Sequence, residues 1–274
     1  MNNLTALQLQ LRQMDRVLLG YSGGVDSALL AVVGTQVLGP GDFLAVIGRS
    51  DSYPQVQLEV ARQIASEYQV RLVEVATQEL SDADYITNSM DRCYFCKREL
   101  WDQLWKLAEA NGFSTVIDGT HAEDLLEHRP GRRAGIERQI RSPFAELGWT
   151  KATIRSLARE LGLPIWDAPA APCLSSRIKY GVTVTAARLR QVELAESALR
   201  RLGITGDLRV RHLGDEASIE VSPHEFQMLE DNWDLITGGL EALGFLKVSR
   251  NPRGYRRGAM LELVDAVADS ESSR

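Results

Sequence analysis

A segment of six residues near the N-terminus has the residue types of a phosphate-binding loop. It consists of Ser22, Gly23, Gly24, Val25, Asp26 and Ser27, and it follows an apolar run that ends at Gly20. Two glycines let the backbone turn tightly, and successive amide groups at the start of a helix attract anions. Asp26 can hold a metal ion near bound phosphates. The segment is not a Walker A motif, because no lysine follows its glycines. A helix-capping turn without a ligand is the structural alternative.

The chain contains three cysteines, an odd number that does not suggest a disulfide framework. Cys93 and Cys96 form a Cys-x-x-Cys pair, and Cys173 follows much later in the sequence. Such a pair alone can bind zinc, take part in redox chemistry or be structural. No second pair is present in the sequence, which disfavours a structural zinc ribbon.

Arginines are concentrated in two parts of the sequence. The first is the stretch 127–135, which begins with Glu-His-Arg. The second is an alternating segment in which Arg209 and Arg211 would share the polar face of a hairpin with Glu220. Arginine suits phosphate because it can donate two parallel hydrogen bonds. A solvated surface is the alternative for both stretches.

The elements that must position these residues alternate between strand and helix in the first part of the chain. Strands are predicted at 16–20, 43–48, 70–75 and 115–118, and helices at 25–38, 54–68 and 96–111. Such alternation predicts a parallel sheet covered by helices, in which ligands bind beyond the carboxyl ends of the strands. The loop after Gly20 lies at one such end. Arg49 lies at another, and we count it with the loop as a nucleotide-binding residue.

The pattern changes after residue 177. A helix at 186–202 precedes a hairpin of 208–211 and 218–221, a helix at 233–243 and a strand at 245–249. We therefore predict an α/β domain with a parallel sheet over residues 1–177. A smaller α+β domain over residues 178–274 is expected to bind substrate or form an oligomer. The tail after residue 267 is expected to be frayed.

Composition and charge indicate a globular protein of the cytoplasm. The chain has 274 residues and a net charge of -6, which argues against a broad nucleic-acid surface. No apolar run reaches the ~18 residues that a membrane span needs. The N-terminus lacks the charged and apolar regions of a secretory signal. We expect a cytoplasmic protein that binds neither nucleic acid nor membrane.

The loop at 22–27, called the phosphate loop below, resembles the PP-loop of the ATP-pyrophosphatases, which cleave ATP to AMP and pyrophosphate. The segment 118–124 looks like the Gly-Thr-Asn-x-Asp-Asp motif of the same superfamily. The resemblance implies that Gly119 contacts the nucleotide and that Asp124 helps to hold magnesium. A histidine replaces the usual asparagine at position 121, so the role of that side chain does not carry over. An N-cap or a solvated loop acid is the alternative for Asp124.

Further segments resemble the LarE-type sulfur transferases of nickel-pincer-nucleotide synthesis, from about residue 15 to about residue 265. They are 142–144, 166–177, 209–212 and 254–258. The resemblance implies that a carboxylate of pyridinium-3,5-biscarboxylic acid mononucleotide attacks the α-phosphate of ATP and releases pyrophosphate. Sulfur from the protein then displaces AMP and gives a thiocarboxylate. The implied catalytic residues are Cys173 and Asp26, and the implied substrate contacts are Ser176, Arg177, Arg209, Arg211 and Glu196.

The family resemblance leaves two forms of sulfur delivery open. In some LarE-type proteins the cysteine equivalent to Cys173 loses its own sulfur and becomes dehydroalanine, so each chain acts once. In others, three cysteines bind a [4Fe-4S] cluster whose open iron carries an extra sulfide. The trio Cys93, Cys96 and Cys173 favours the cluster, because three thiolates leave one iron open. The resemblance also implies a homo-oligomer, and the family tends to form hexamers.

Three other functions are compatible with a PP-loop. A tRNA thiolase shares adenylation and sulfur transfer but needs a nucleic-acid surface, which the acidic net charge disfavours. An ammonia-using synthetase of the NAD or GMP synthetase kind does not need the three cysteines, and the sequence shows no glutaminase domain. A nucleotide-binding module without enzymatic activity would bind ATP without substrate-dependent release of pyrophosphate.

Overall fold

The computed structural model describes residues 2–126 and 130–256 and divides the chain into two compact units. The first unit comprises residues 1–82 and 91–171, and the second comprises residues 83–90 and 172–274. Residues 127–129 of the first arginine stretch, residues 257 and 258 of the C-terminal motif, and the tail after residue 267 lie outside the described ranges.

The division of the chain differs from the boundary that we predicted after residue 177. It falls after residue 171, so Cys173, Ser176 and Arg177 belong to the second unit. The segment 83–90 also belongs to that unit. Its Asn88 side chain donates to the carbonyl groups of Lys179 and Val182, both at 2.8 Å. These are long-range contacts that no local sequence pattern encodes.

The first unit is built on a parallel sheet, as predicted. Its strands are β1 (Val17–Gly20), β2 (Phe43–Arg49), β3 (Leu72–Ala76) and β4 (Thr115–Ile117), in the order β3-β2-β1-β4. Every pairing is parallel. The chain moves outward from β1 to β3 and then returns to the other side of β1. The crevice between the ends of β1 and β4 is therefore the switch point at which such sheets bind ligands.

The helices between residues 3 and 160 cover this sheet, except for one short helix that belongs to the second unit. They are α1 (Asn3–Arg12), α2 (Val25–Asp42), α3 (Gln55–Glu67), α4 (Ala83–Ile86, in the second unit), α5 (Arg92–Asn111), α6 (Pro130–Glu137), α7 (Pro143–Glu146) and α8 (Lys151–Glu160). Leu18 and Leu19 of β1 are both fully buried, in separate apolar clusters. Side chains alternate along a strand, so the sheet is covered on both faces.

Three predicted helices differ in extent from those observed. We expected a helix from residue 96, but α5 begins at Arg92, so both cysteines of the Cys-x-x-Cys pair lie on the helix. The helix α2 continues to Asp42 through a kink at Gly39, whose φ is 78°. Pro54, which we expected inside the first turn of α3, is its N-cap residue. None of the helices in the described ranges is long and apolar enough to cross a membrane.

The second unit has the α+β character that we predicted. Its strands are β5 (Leu208–His212), β6 (Glu216–Val221) and β7 (Lys247–Arg250), and its further helices are α9 (Ala186–Arg201), α10 (Phe226–Asp231) and α11 (Trp233–Ala242). Strands β5 and β6 form the expected antiparallel hairpin, with Arg209 opposite Glu220. Strand β7 pairs parallel to β6, so this smaller sheet is mixed.

His212, the last residue of β5, is buried and held as a neutral ring. The Gly214 amide donates to its Nδ1 at 3.3 Å, so Nε2 carries the proton and donates to Oε1 of Gln191 at 3.0 Å. Burial lowers the pKa of His212 from 6.5 to about 4, and the charge of Arg188 acts in the same direction. Asp215 opposes this shift. Charging the ring would break the contact with the Gly214 amide.

The pKa of His212 predicts a contribution to stability that depends on pH. The folded-state pKa lies below that of the unfolded chain, so between pH 6.5 and 4 the unfolded chain binds more protons. The contribution is therefore complete above pH 6.5 and is lost as the pH falls towards 4. The free energy of unfolding of the wild-type protein should therefore fall as the pH decreases from 6.5 to 4. We expect this fall to be smaller by about 2 kcal/mol in His212→Gln. Urea unfolding at several pH values measures this, with the exposed His224→Gln as the control that should keep the wild-type profile.

Candidate active site

The phosphate loop leaves β1 at the carboxyl edge of the sheet and enters the first turn of α2. Gly24 is the N-cap residue, so the first amide groups of α2 have no side-chain cap. The Ser27 hydroxyl donates to the Gly24 carbonyl at 3.1 Å and accepts from the Ser22 amide at 3.2 Å. The two serine hydroxyl oxygens lie 3.1 Å apart. The result is a closed turn at a helix N-terminus, which is suited to bind an anion.

The loop is supported from behind by α3 and the residues before it. Gly23 has a φ of +67°, and a Cβ atom there would lie 2.7 Å from the Cβ of Ala61. Only glycine fits this backbone conformation and this space. The Tyr53 hydroxyl donates to the Ser22 carbonyl at 2.9 Å. Burial raises the pKa of Tyr53, so its hydroxyl keeps the proton that it donates.

Asp26 is bound by a lysine that the sequence analysis missed. The Nζ atom of Lys151 lies 2.7 and 2.6 Å from the two carboxylate oxygens of Asp26. Lys151 is the first residue of α8, which begins at the N-cap residue Thr150. The two side chains are 34% and 25% exposed, so the pair remains open to solvent and to a ligand. The phosphate loop therefore has a cation beside it, contributed by a residue 125 positions after Asp26 in the chain.

The turn after β4 lies directly against the start of α2. A Cβ atom at Gly119 would come within 3.0 Å of the Cβ of Asp26, so glycine permits this close approach. Asp124 is buried at the third position of a short 3-10 helix. Its carboxylate accepts from the His121 amide at 3.2 Å, as in a capping box. Asp124 is thus the N3 residue of a capping box whose N-cap residue is His121, so it is neither the N-cap nor the solvated acid that we gave as the alternative. Its role in holding magnesium stays a prediction.

Arg49 lies at the end of β2, where its side chain forms a surface ion pair. Its Nη1 is 3.6 Å from Oε2 of Glu74, and the side chain is 57% exposed. Glu74 also binds Arg62 at 2.6 Å. The side chain of Arg49 is paired with the carboxylate of Glu74 in this structure, so its contact with the nucleotide stays a prediction.

A buried carboxylate near this edge was also missed. Glu79 is 2% exposed and accepts hydrogen bonds from the hydroxyl groups of Ser50 and Ser52. Among the described residues, its second oxygen Oε2 has no hydrogen-bond partner. Glu79 anchors the turn after β2 from which Tyr53 reaches the phosphate loop.

The three cysteines are divided between the two units. Cys93 and Cys96 are partly buried in the first turns of α5, and their spacing of three places them on one side of the helix. Cys173 is partly buried in the second unit, where it is the N-cap residue of the 3-10 helix Leu174–Arg177. Within residues 2–126 and 130–256, no three side chains of His, Cys, Asp or Glu are grouped as ligands for a metal ion.

The residues that we predicted as substrate contacts come together in the second unit beside Cys173. Arg177 binds Glu196 through two hydrogen bonds of 3.0 and 3.1 Å. Arg211 binds Glu220 at 2.8 Å. Arg209 donates to the Leu208 carbonyl and lies over the ring of Tyr255. We call the group the arginine cluster; its members are Arg177, Glu196, Arg209, Arg211 and Glu220.

The arginine cluster is buried and carries a net positive charge. All five residues of β5 are buried, which rules out the solvated surface that we gave as the alternative for the hairpin. Burial lowers the pKa of Arg209, and the charge of Arg177 lowers it further. The three guanidinium groups and two carboxylates of the cluster give these five side chains a formal charge of +1. A positive formal charge favours an anionic ligand.

Comparison with known proteins gives relatives over nearly the whole chain. A family model described as NAD synthase matches residues 3–98. An uncharacterized protein of Synechocystis sp. is 42% identical over 250 residues, which cover 90% of this chain and 92% of the relative. The pyridinium-3,5-bisthiocarboxylic acid mononucleotide synthase of Lactiplantibacillus plantarum is 33% identical over 250 residues, or 91% and 90% of the two chains. An uncharacterized protein of Methanocaldococcus jannaschii is 30% identical over 241 residues, or 88% and 91%.

The parallel sheet, the phosphate loop at its switch point and the match to the NAD synthase model define a PP-loop enzyme, a class that uses ATP. Within that class the chain belongs to the LarE family, which includes the Lactiplantibacillus synthase. The resemblance drawn from the motifs is thereby confirmed.

Proposed function

We propose that this protein is an ATP-dependent sulfur transferase that converts a carboxylate of pyridinium-3,5-biscarboxylic acid mononucleotide into a thiocarboxylate. Two features of this LarE-family chain carry the proposal. One is a closed phosphate loop, and the other is a partly exposed cysteine beside a buried, positively charged arginine cluster. The first feature suits adenylation and the second suits a phosphorylated acceptor of sulfur. Its relative from Lactiplantibacillus is named for the bisthiocarboxylic acid product.

The first half-reaction uses the phosphate loop. The loop amides and the Ser22 and Ser27 hydroxyls bind the ATP phosphates, and a substrate carboxylate oxygen attacks the α-phosphorus. The bond between the α-phosphorus and its bridging oxygen breaks, and pyrophosphate leaves with that oxygen. Lys151 turns from Asp26 towards the phosphates and stabilises the charge that develops on them.

Magnesium is the metal that this chemistry implies, and the carboxylates at the loop fit its preference for oxygen ligands. Asp26 offers two oxygens at the start of α2, and Asp124 adds the carboxylate whose Oδ2 accepts from the His121 amide. Bound magnesium would neutralise phosphate charge and polarise the α-phosphate. We propose that Asp26 and Asp124 hold it together with the phosphates.

The second half-reaction uses Cys173. Its thiolate attacks the carbonyl carbon of the adenylate, and AMP leaves, so that a thioester links the substrate to the protein. In the sacrificial form, loss of the Cα proton and cleavage of the Cβ–S bond then release the thiocarboxylate and leave dehydroalanine. These steps need no oxidant or reductant. The excess positive charge of the arginine cluster attracts the phosphate of the substrate nucleotide, with Arg209 and Ser176 as its proposed contacts.

The three cysteines favour the recycling form, in which Cys93, Cys96 and Cys173 hold a [4Fe-4S] cluster. The pairing of two cysteines on one side of α5 supports it. The described residues contain no ready-made group of three metal ligands. Iron and sulfide analysis after anaerobic purification separates the two forms, since only the cluster form binds both.

Release of pyrophosphate in the presence of different acceptors tests the proposed function. We expect release from ATP to rise at least tenfold when pyridinium-3,5-biscarboxylic acid mononucleotide is added. Transfer RNA and ammonia with a nicotinic acid nucleotide serve as comparison substrates. Stimulation by tRNA instead would favour a thiolase, and stimulation by ammonia would favour an amide synthetase. Equal release with and without every acceptor would contradict the proposal.

A further inference from the structure

The backbone around Cys173 is held by the side chains of Ser176 and Arg177. The Cys173 carbonyl accepts from the Ser176 hydroxyl at 2.7 Å, from the Ser176 amide at 3.0 Å and from Nη1 of Arg177 at 3.0 Å. The same Nη1 donates to the Pro172 carbonyl. We call residues 172–177 the Cys173 segment. Its polar backbone atoms are tied down immediately next to the reactive thiol.

A second arginine holds the other end of this segment. Nη1 of Arg211 donates to the Ser176 carbonyl at 3.1 Å. Ser175 is fully buried, and its hydroxyl forms a hydrogen bond with the hydroxyl of Tyr85. Segment 172–177 is therefore fixed from both sides, although it contains no regular secondary structure beyond one short 3-10 helix.

Each of these arginines is itself fixed by a carboxylate. Glu196 binds Arg177 through both oxygens, and its Oε1 also accepts from the Val210 amide at 3.1 Å. Glu220 binds Arg211 through Oε2, and its Oε1 accepts from Asn251 at 3.1 Å. The side chains of Arg177 and Arg211 are only 5% and 8% exposed. Most of their donors are thus directed at protein oxygens.

We propose that Arg177 and Arg211 are positioning residues that fix the Cys173 segment, and that Glu196 acts through Arg177 instead of binding substrate. A planar guanidinium can bind a carboxylate with one edge and two carbonyls with another, which a lysine ammonium cannot do. The Cα–Cβ bond of Cys173, which carries the sulfur atom, is held in a fixed direction because the carbonyl groups of Cys173 and Pro172 are both bound by side chains. The functional part of this inference rests on Cys173 being the sulfur donor, whereas its structural part does not.

Alkylation of the cysteines tests the structural part without substrate or ATP. Iodoacetamide labelling is followed by peptide mass spectrometry, and Cys93 and Cys96 serve as internal references. We expect Arg177→Lys to raise the alkylation rate of Cys173 about tenfold, because hydrogen bonds that restrain the segment are lost. Glu196→Gln keeps an acceptor for Val210 and should give a smaller rise. The matched control is Arg200→Lys, since Arg200 also bonds two carbonyls, those of Ile204 and Gly206, and should change nothing.

Steady-state kinetics of thiocarboxylate formation test the functional part. A positioning role predicts that Arg177→Lys and Glu196→Gln lower kcat about tenfold or more and leave the KM of the nucleotide substrate within about twofold. A raised KM with unchanged kcat would overturn the proposal, because it would make these residues substrate contacts. Unchanged alkylation of Cys173 in both variants would overturn it as well. Failure of the proposed function would appear separately, as a wild-type protein that forms no thiocarboxylate while the alkylation pattern still holds.

Discussion

Replacing Cys173 by serine is expected to abolish thiocarboxylate formation while substrate-dependent pyrophosphate release continues. The two half-reactions use different residues, and the phosphate loop makes its observed contacts within the first unit, whereas Cys173 belongs to the second. A serine hydroxyl is isosteric enough to keep the Ser176 and Arg177 contacts to the carbonyl of residue 173. It has no sulfur to give, so the adenylate accumulates or hydrolyses. Sulfur transfer should fall by at least 10³-fold, which is the scale on which loss of a nucleophile acts.

The other two cysteines provide the matched variants for this experiment. In the sacrificial form, Cys93→Ser and Cys96→Ser keep a full single turnover. In the cluster form, either change removes a ligand and stops repeated turnover. A Cys173→Ser protein that still formed thiocarboxylate would show that the sulfur comes from another source. A Cys173→Ser protein that lost both thiocarboxylate formation and pyrophosphate release would show that the two half-reactions are not separable.

Replacing Lys151 by alanine is expected to lower substrate-dependent pyrophosphate release by about 10²- to 10³-fold. Lys151 is the cation bound to Asp26 at the phosphate loop, with its Nζ within 2.7 Å of both carboxylate oxygens. During adenylation the negative charge on the phosphates increases, and a positive group in place stabilises the transition state more than the ground state. Lys151→Arg keeps the charge and should retain more activity than the alanine variant.

A surface ion pair in the second unit is the control for Lys151. Lys247 binds one carboxylate oxygen of Glu216 at 2.9 Å, and its side chain is 68% exposed. Lys247→Ala should leave pyrophosphate release unchanged and should alter the free energy of unfolding by less than about 1 kcal/mol. Equal activity of the Lys151→Ala and wild-type proteins would show that the contact with Asp26 is structural only.

The parallel sheet was predictable because its strands β1 and β2 are apolar runs with clear ends. Val17 to Gly20 precedes a glycine-rich turn, and Phe43 to Arg49 follows the Gly-Pro-Gly sequence that kinks the end of α2. Strands buried on both faces have this continuous apolar character. The start of α5 was less predictable, since its N-cap residue Asp91 makes no side-chain cap. Aspartate is a residue type that commonly marks a helix start, but here its side chain does not make the capping hydrogen bond.

The contacts that complete the candidate site arise from tertiary structure. Lys151 reaches Asp26 from a distant helix, and no spacing rule connects the two positions. Glu79 has no local motif either, because its partners Ser50 and Ser52 follow a different strand. By contrast, the period of two along β5 correctly placed Arg209 and Arg211 on one face. Their burial could not be foreseen, since the alternation of polar and apolar residues ordinarily indicates a solvated face.

The most direct test of the account measures pyrophosphate, AMP and thiocarboxylate in one reaction of the purified protein with ATP and pyridinium-3,5-biscarboxylic acid mononucleotide. The three products are expected in equal amounts from the wild-type protein. Thiocarboxylate should be missing from the Cys173→Ser reaction. Formation of ADP and phosphate, or of thiocarboxylate without a matching amount of pyrophosphate, would contradict an adenylate as the intermediate to which Cys173 delivers sulfur.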